Sequence, residues 1–146
     1  MASSANPDPR PLPRVTPRRL ADLAQAALWL AGARLRLARI PAGQLFRQGQ
    51  QRPGGTDPQM AARIAWAVPR AAARLPWRAD CFVQALAAQS WLARHGLGSD
   101  LTVGVRIDAP GGFAAHAWLR HGDLAVTGGD FSAYCPFPAI PTGRLG

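Results

Sequence analysis

The sequence predicts an α+β fold: helices first, then a small antiparallel sheet on which a cysteine-bearing helix packs. Three observations predict it. Apolar residues recur at helical spacing from residue 17 to 40 and again from 81 to 94. The period then changes to two from Asp100 onward. Gly- and Pro-rich punctuation separates the segments.

Met1 to Val15, rich in proline and serine, reads as a disordered tail. The first helix starts at Thr16 as N-cap with Pro17 in the first turn, and Pro41 stops it. Leu20, Leu23, Ala27 and Leu30 form its apolar stripe, widened by Leu28, Leu35 and Leu37, with Arg34, Arg36 and Arg39 solvated near the negative end of the dipole. A basic helix with Trp29 also suits a membrane surface, but packing on the domain is the simpler expectation. Residues 47–57 read as a linker. Asp57-Pro58 repeats the cap-then-proline signal, so a second helix is expected from Pro58 to about Val68, with Ile64, Ala65 and Val68 inward. Pro69 ends or kinks it, with a further turn or two possible to Leu75.

Asp80 caps the next helix, Cys81 to Arg94, and Gly96 terminates it. Phe82, Ala85, Leu86, Ala88, Trp91 and Leu92 supply a wide apolar face. "DLTVGVRI" alternates Leu101, Val103, Val105 and Ile107 against small or polar residues; 108–112 is a turn. "FAAHAWLR" sets Ala114, His116, Trp118 and Arg120 on one face and Phe113, Ala115, Ala117 and Leu119 on the other. A tight "HGD" loop leads to a returning strand, "LAVTG". The tail, with Pro136, Pro138 and Pro141, should cross the surface in extended form. The domain organisation is thus a tail (1–15), a helical part (16–74) and a compact core (75–146).

Composition narrows the partners. The 146 residues carry a net charge of +9, which favours an acidic partner, either a peptide or a nucleic acid. The arginines are scattered rather than massed in a stripe, which argues against nucleic acid. The longest apolar run, Ala26 to Ala33, is far short of the roughly 20 residues of a spanning helix, so no stable membrane insertion is expected. No secretory signal is visible, and a cytoplasmic protein is the default. Two cysteines, Cys81 and Cys135, make neither a disulfide framework nor a zinc site; no metal or cofactor is expected.

The chemistry rests on Cys81. Unpaired N–H groups and the positive end of the dipole at a helix start favour a thiolate, and the same groups can hold an oxyanion. If the sheet packs on the helix start, His116 meets Cys81 as base to nucleophile. Taken singly, each residue is more often a packing residue than a catalytic one. Trp118 reads as core, His95 as a helix C-terminal residue meeting the dipole, His121 as a solvated loop residue, Asp123 as a turn residue and Cys135 as structural.

A cysteine at a helix start, an interval of 35 residues, "HAW" in a strand and a hairpin with an acidic residue together resemble the transglutaminase-like, papain-like superfamily. More narrowly, "CFVQALAAQSWLARHGLGSDLTVGVRI" with "FAAHAWLR" resembles the core of the leader peptidases of lasso-peptide biosynthesis, the B-protein family that includes the microcin-processing proteins. The resemblance runs from about Leu75 to Asp130; the helical part fits in length and character but carries no motif. It implies that Cys81 is the nucleophile and His116 the base of a cysteine protease. That protease would remove the leader from a ribosomally made precursor peptide, helped by a small leader-recognition protein, before an ATP-dependent lasso cyclase closes the macrolactam. The family pattern has an Asp about twelve residues after the His, a position held here by Gly128. With a three-residue loop at 121–123, Arg120 pairs with Leu124, His116 with Gly128 and Ala114 with Asp130. Asp130 then lies on the His116 face one step along, a diagonal of roughly 7–8 Å, and is chosen as the third member. A two-residue loop turns it to the opposite face. A Cys–His pair with a backbone carbonyl orienting His116 stays open. So do acyl transfer, in which an amine resolves the same thioester, and a non-catalytic peptide-binding module.

Overall fold

A computed structural model describes residues 16–107, 112 and 114–136. The expected tail at 1–15, most of the turn at 108–112 and the chain beyond Pro136 lie outside the described residues. Four helices, α1 (Pro17–Arg39), α2 (Ala42–Gly49), α3 (Pro58–Ala72) and α4 (Cys81–Arg94), precede four strands, β1 (Asp100–Arg106), β2 (Ala114–His121), β3 (Leu124–Thr127) and β4 (Cys135–Pro136). The strands form one antiparallel sheet in the order β3-β2-β1-β4, so the α+β class expected from the periodicities is the class observed.

The helix starts follow their caps. Thr16 accepts from Arg19 N at 3.3 Å, Asp57 from Met60 N at 3.1 Å and Asp80 from Val83 N at 3.0 Å. Each satisfies an N–H that the first turn leaves without a partner. α4 is the centre of the molecule: Ala85, Leu86, Ala87, Ala88, Trp91 and Leu92 are all buried. It is apolar nearly all round because α1 and α3 pack on it from one side and β2 and β3 from the other. One cluster of buried side chains runs from Leu30 through Leu45, Ile64 and Leu86 to Leu101, Leu119 and Val126, crossing residue 75 without a break.

Several sequence expectations change in the structure. On α1 the buried face is Asp22, Ala26, Leu30 and Ala33, whereas Leu20, Leu28 and Leu35 are 58%, 74% and 59% exposed. The helix is rich in Ala and Leu all round, so periodicity offered more than one face. The small alanines allow close approach to α3 and α4, and Asp22 is held by Arg63, Nη2 to Oδ1 at 2.7 Å. Two of the arginines expected to be solvated have partners: Arg36 donates to Ser90 Oγ at 3.0 Å, and the Arg34 guanidinium stacks 5.1 Å from the Trp77 ring centroid.

The linker expected at 47–57 begins inside α2 (Ala42–Gly49), a helix that the sequence reading missed. Two glycines and a short length hide it, but Leu45 and Gly49, one turn apart, are buried, Gly49 beside Leu101 of β1. A Cβ on Gly49 would come within 2.6 Å of Leu101 Cδ2 and 2.8 Å of Gln89 Oε1, so a larger residue there would displace both side chains. α3 continues through Pro69 to Ala72. Ile107 is exposed beyond the end of β1.

His121 is not a solvated loop residue. It ends β2, is buried, accepts from Asp57 N at Nε2 (3.1 Å) and donates from Nδ1 to Gly98 O (2.6 Å). It ties the start of α3 to the loop after α4, and that pairing assigns the neutral Nδ1–H tautomer.

The β2–β3 hairpin also differs. Its turn is the two residues Gly122-Asp123, with Gly122 at φ 57°, and the pairs are His121 with Leu124 and Arg120 with Ala125. A bulge then shifts the register so that Leu119 pairs with Thr127. The expected pairs of Arg120 with Leu124, His116 with Gly128 and Ala114 with Asp130 are therefore not formed, and β3 ends before Gly128.

Candidate active site

Cys81 occupies the first helical position of α4 and is half-buried. Of the early N–H groups, Val83 N is taken by the Asp80 carboxylate and Gln84 N by Asp80 O. The N–H groups of Cys81 and Phe82 have no acceptor inside the helix. They therefore remain for a negative charge developing beside the sulfur. The cap fixes this end in place, and a second bond from Gln84 Nε2 to Ala79 O (3.0 Å) holds the approach to it.

His116 lies in β2, opposite Gly104 of β1. Its Nε2 meets Gly128 O at 2.5 Å. A carbonyl only accepts, so Nε2 carries the proton and Nδ1 of the neutral ring keeps a lone pair. Aromatic rings hold the imidazole: Tyr134 at 5.0 Å and Trp118 at 6.1 Å between centroids. Trp118 is buried as expected and stacks on Phe131 at 4.6 Å with planes 1° apart. Gly104 makes room for it, since a Cβ there would sit 2.6 Å from the end of the indole.

Cys81 and His116 line the same cavity, about 330 Å³ in volume. Ala42, Gly43 and Phe46 of α2 form one side; Phe82, Val103, Ala115 and Ala117 complete it. No hydrogen bond joins the thiol to the imidazole; among the described residues the ring is bonded to Gly128 O instead. Asp130 is placed elsewhere. Its carboxylate is fully exposed and accepts from Ser132 N at 3.0 Å, and that backbone bond holds it below the usual carboxylate range. The structure thus brings two of the three sequence-chosen residues to one cavity and leaves Asp130 without a bond to His116.

Gly128 explains the difference. Its φ of 100°, followed by 59° at Gly129, lies in the left-handed region that favours glycine. A Cβ on Gly128 would also collide with the backbone and Cβ of Trp118. The carbonyl therefore reaches His116 from a position that no aspartate could occupy. Three contributors escaped the sequence reading. Phe46 was hidden with α2. Tyr134 and Phe131 sit in a tail read only as extended, where their three-residue spacing was the available signal.

The remaining candidates lie outside the cavity, His95 and Asp123 as expected and Cys135 without the burial expected of a structural residue. His95 is the exposed C-cap of α4, Asp123 is an exposed turn residue 3.7 Å from Arg120 Nη2, and Cys135 is exposed on β4. Among the described residues no group of three or more His, Cys, Asp or Glu side chains could hold a metal, and no helix is long and apolar enough to cross a membrane.

A cysteine at the N-terminus of a buried helix, packed on an antiparallel sheet whose strand carries a histidine, is the layout of thiol-nucleophile hydrolases and acyltransferases. The chain belongs to the transglutaminase-like superfamily, whose family (Transglut_core3) matches residues 27–138, well over half of its length. That match includes α2, α4 and the whole described sheet. No curated protein and no solved structure gives a significant match.

Proposed function

We propose that this protein is a cysteine peptidase that removes the leader from a ribosomally synthesised lasso-peptide precursor. The observation that carries the reading is the cavity shared by Cys81 and His116 at the start of α4. The sequence resemblance from Leu75 to Asp130 supplies the substrate class.

In this mechanism His116 Nδ1 takes the thiol proton as Cys81 Sγ attacks the carbonyl of the scissile bond. The oxyanion forms beside the N–H groups of Cys81 and Phe82. Collapse breaks the C–N bond, and His116 returns its proton to the leaving amine. The thioester that remains is hydrolysed by a water whose proton passes to Nδ1, freeing the new carboxylic acid and restoring the thiol. Gly128 O holds Nε2–H throughout and keeps the tautomer that leaves Nδ1 basic. Asp130 takes no direct part in this scheme. The scheme requires sulfur and imidazole to come within hydrogen-bond reach when substrate binds, the stage at which catalytic hydrogen bonds commonly tighten.

In the cell the reading places the protein in the cytoplasm. There it works with a small leader-recognition protein and ahead of an ATP-dependent lasso cyclase, and its positive surface meets an acidic leader or partner. The test is incubation with a candidate precursor, with and without such a recognition protein, read by mass spectrometry. Cleavage at one bond with the mass of one water added is expected, and Cys81→Ala should abolish it while the variant stays folded. Processing that survives this substitution removes the enzyme claim. An amine added in place of water turns the assignment to acyl transfer.

A further inference from the structure

The cavity beside Cys81 has a wall built by α2. Ala42, Gly43 and Phe46 stand along it, with Phe82 and Val103 completing an apolar surface. Its volume of about 330 Å³ is at the lower end of the range of ligand pockets, roughly 300–1,000 Å³. That is room for a side chain or two, not for a folded partner. Apart from Cys81 and His116, no lining residue has a polar side chain. Away from those two residues a charged side chain would lose water and gain no partner, whereas an apolar one would lose only contact with water.

The wall is fixed from behind. Leu45 is buried in the core, and Gln89 Nε2 donates to Gly49 O at 2.9 Å and to Ser99 Oγ at 2.9 Å. Gly43 is exposed at the edge, and its φ is not in the left-handed region. The nearest atom to an added Cβ is Arg47 Nη1 at 3.9 Å. Neither backbone conformation nor packing requires glycine at this position, so its effect is to leave this side of the cavity open.

We propose that this cavity is the specificity pocket of the site and takes an apolar side chain from the acyl side of the scissile bond, with Gly43 and Phe46 setting its size. The proposal rests on the peptidase reading for its choice of side: the acyl part is the part that Cys81 holds as a thioester, against the walls of its own cavity. The substrate class is thereby narrowed to peptides with Leu- or Phe-like residues at one of the two positions before the cleaved bond.

The test uses the whole chain and two sets of peptide chloromethyl ketones, acetyl-Xaa-Ala and acetyl-Ala-Xaa, with Xaa as Gly, Leu, Phe, Asp or Arg. Each alkylation rate at Cys81 is divided by that of iodoacetamide on the same protein, which removes differences in thiol reactivity. In one of the two sets Leu or Phe should react at least about tenfold faster than Gly, Asp or Arg, the lower bound expected for an apolar pocket. Gly43→Leu fills the cavity at an exposed helical position, where leucine is the better helix former. It should bring the Leu and Phe rates down to the Gly rate. Phe46→Ala, checked for folding by circular dichroism, should weaken the same preference. Equal rates across Xaa, or a preference untouched by Gly43→Leu, overturns the pocket. Selective labelling without hydrolysis of any peptide upholds the pocket and removes the peptidase reading; hydrolysis with flat labelling does the reverse.

Discussion

At the scale of single residues, His116 is held by a backbone carbonyl rather than by a carboxylate. Gly128 O holds the imidazole of His116, and Gly128 is glycine because its φ is 100° and Trp118 leaves no space for a Cβ. Gly128→Ala should therefore destabilise the fold by about 1–3 kcal/mol through the strained conformation, read by denaturant unfolding, and, if the proposed peptidase activity holds, slow turnover by releasing His116. On the same proposed activity Asp130→Asn should leave turnover within a few-fold, because the Asp130 carboxylate is exposed and its bond is to Ser132 N. A large loss of turnover in Asp130→Asn, with Gly128→Ala near normal, would restore Asp130 as the orienting residue. Sequence periodicity placed Cys81 and His116 correctly on a helix start and in a strand. It could not place Gly128 O, since a backbone carbonyl carries no residue signature.

Among the elements, α4 and α2 make the instructive contrast. α4 was legible to the residue, because Asp80, the apolar run and Gly96 act locally on the chain. Its start also sets the site. Asp80→Ala should cost about 1 kcal/mol of stability and loosen the turn that carries Cys81, whereas Asp80→Asn, which preserves the cap, should keep the stability. Thermal unfolding of both variants checks this, and equal losses in the two would mean that charge rather than capping is what matters. α2 was illegible. A helix of eight residues with two glycines has little intrinsic tendency to form, and its stability comes from seating Leu45 and Gly49 on the rest of the fold. The hairpin register falls in the same category: the strands were readable from their alternation, but the bulge between Leu119 and Arg120 depends on how β3 meets its neighbours.

For the whole molecule, the continuous core decides the behaviour. Leu30 of α1 and Leu119 of β2 belong to one buried cluster, although they lie on opposite sides of residue 75. Leu30→Ala and Leu119→Ala should each cost about 2–5 kcal/mol. Each should also shift a single unfolding transition, followed by circular dichroism and tryptophan fluorescence together. Separate transitions in either variant would show that the helical part and the sheet fold as independent units. The same packing explains His121. Nothing in "RHGD" marks its histidine as buried; the segments after α2 and after α4 come together around it through bonds at 3.1 and 2.6 Å.

What the sequence alone determined was local: helix caps, the two periodicities, the cysteine at a helix N-terminus and the histidine in a strand. These follow from interactions among residues a few positions apart, so they are written in short windows of the chain. What only the tertiary structure decided was which face of α1 is buried, that 42–49 is helical, where the hairpin bulges and which atom holds His116. Those outcomes are set by close packing between distant segments, where a missing Cβ or a free carbonyl matters more than the side chains a sequence displays.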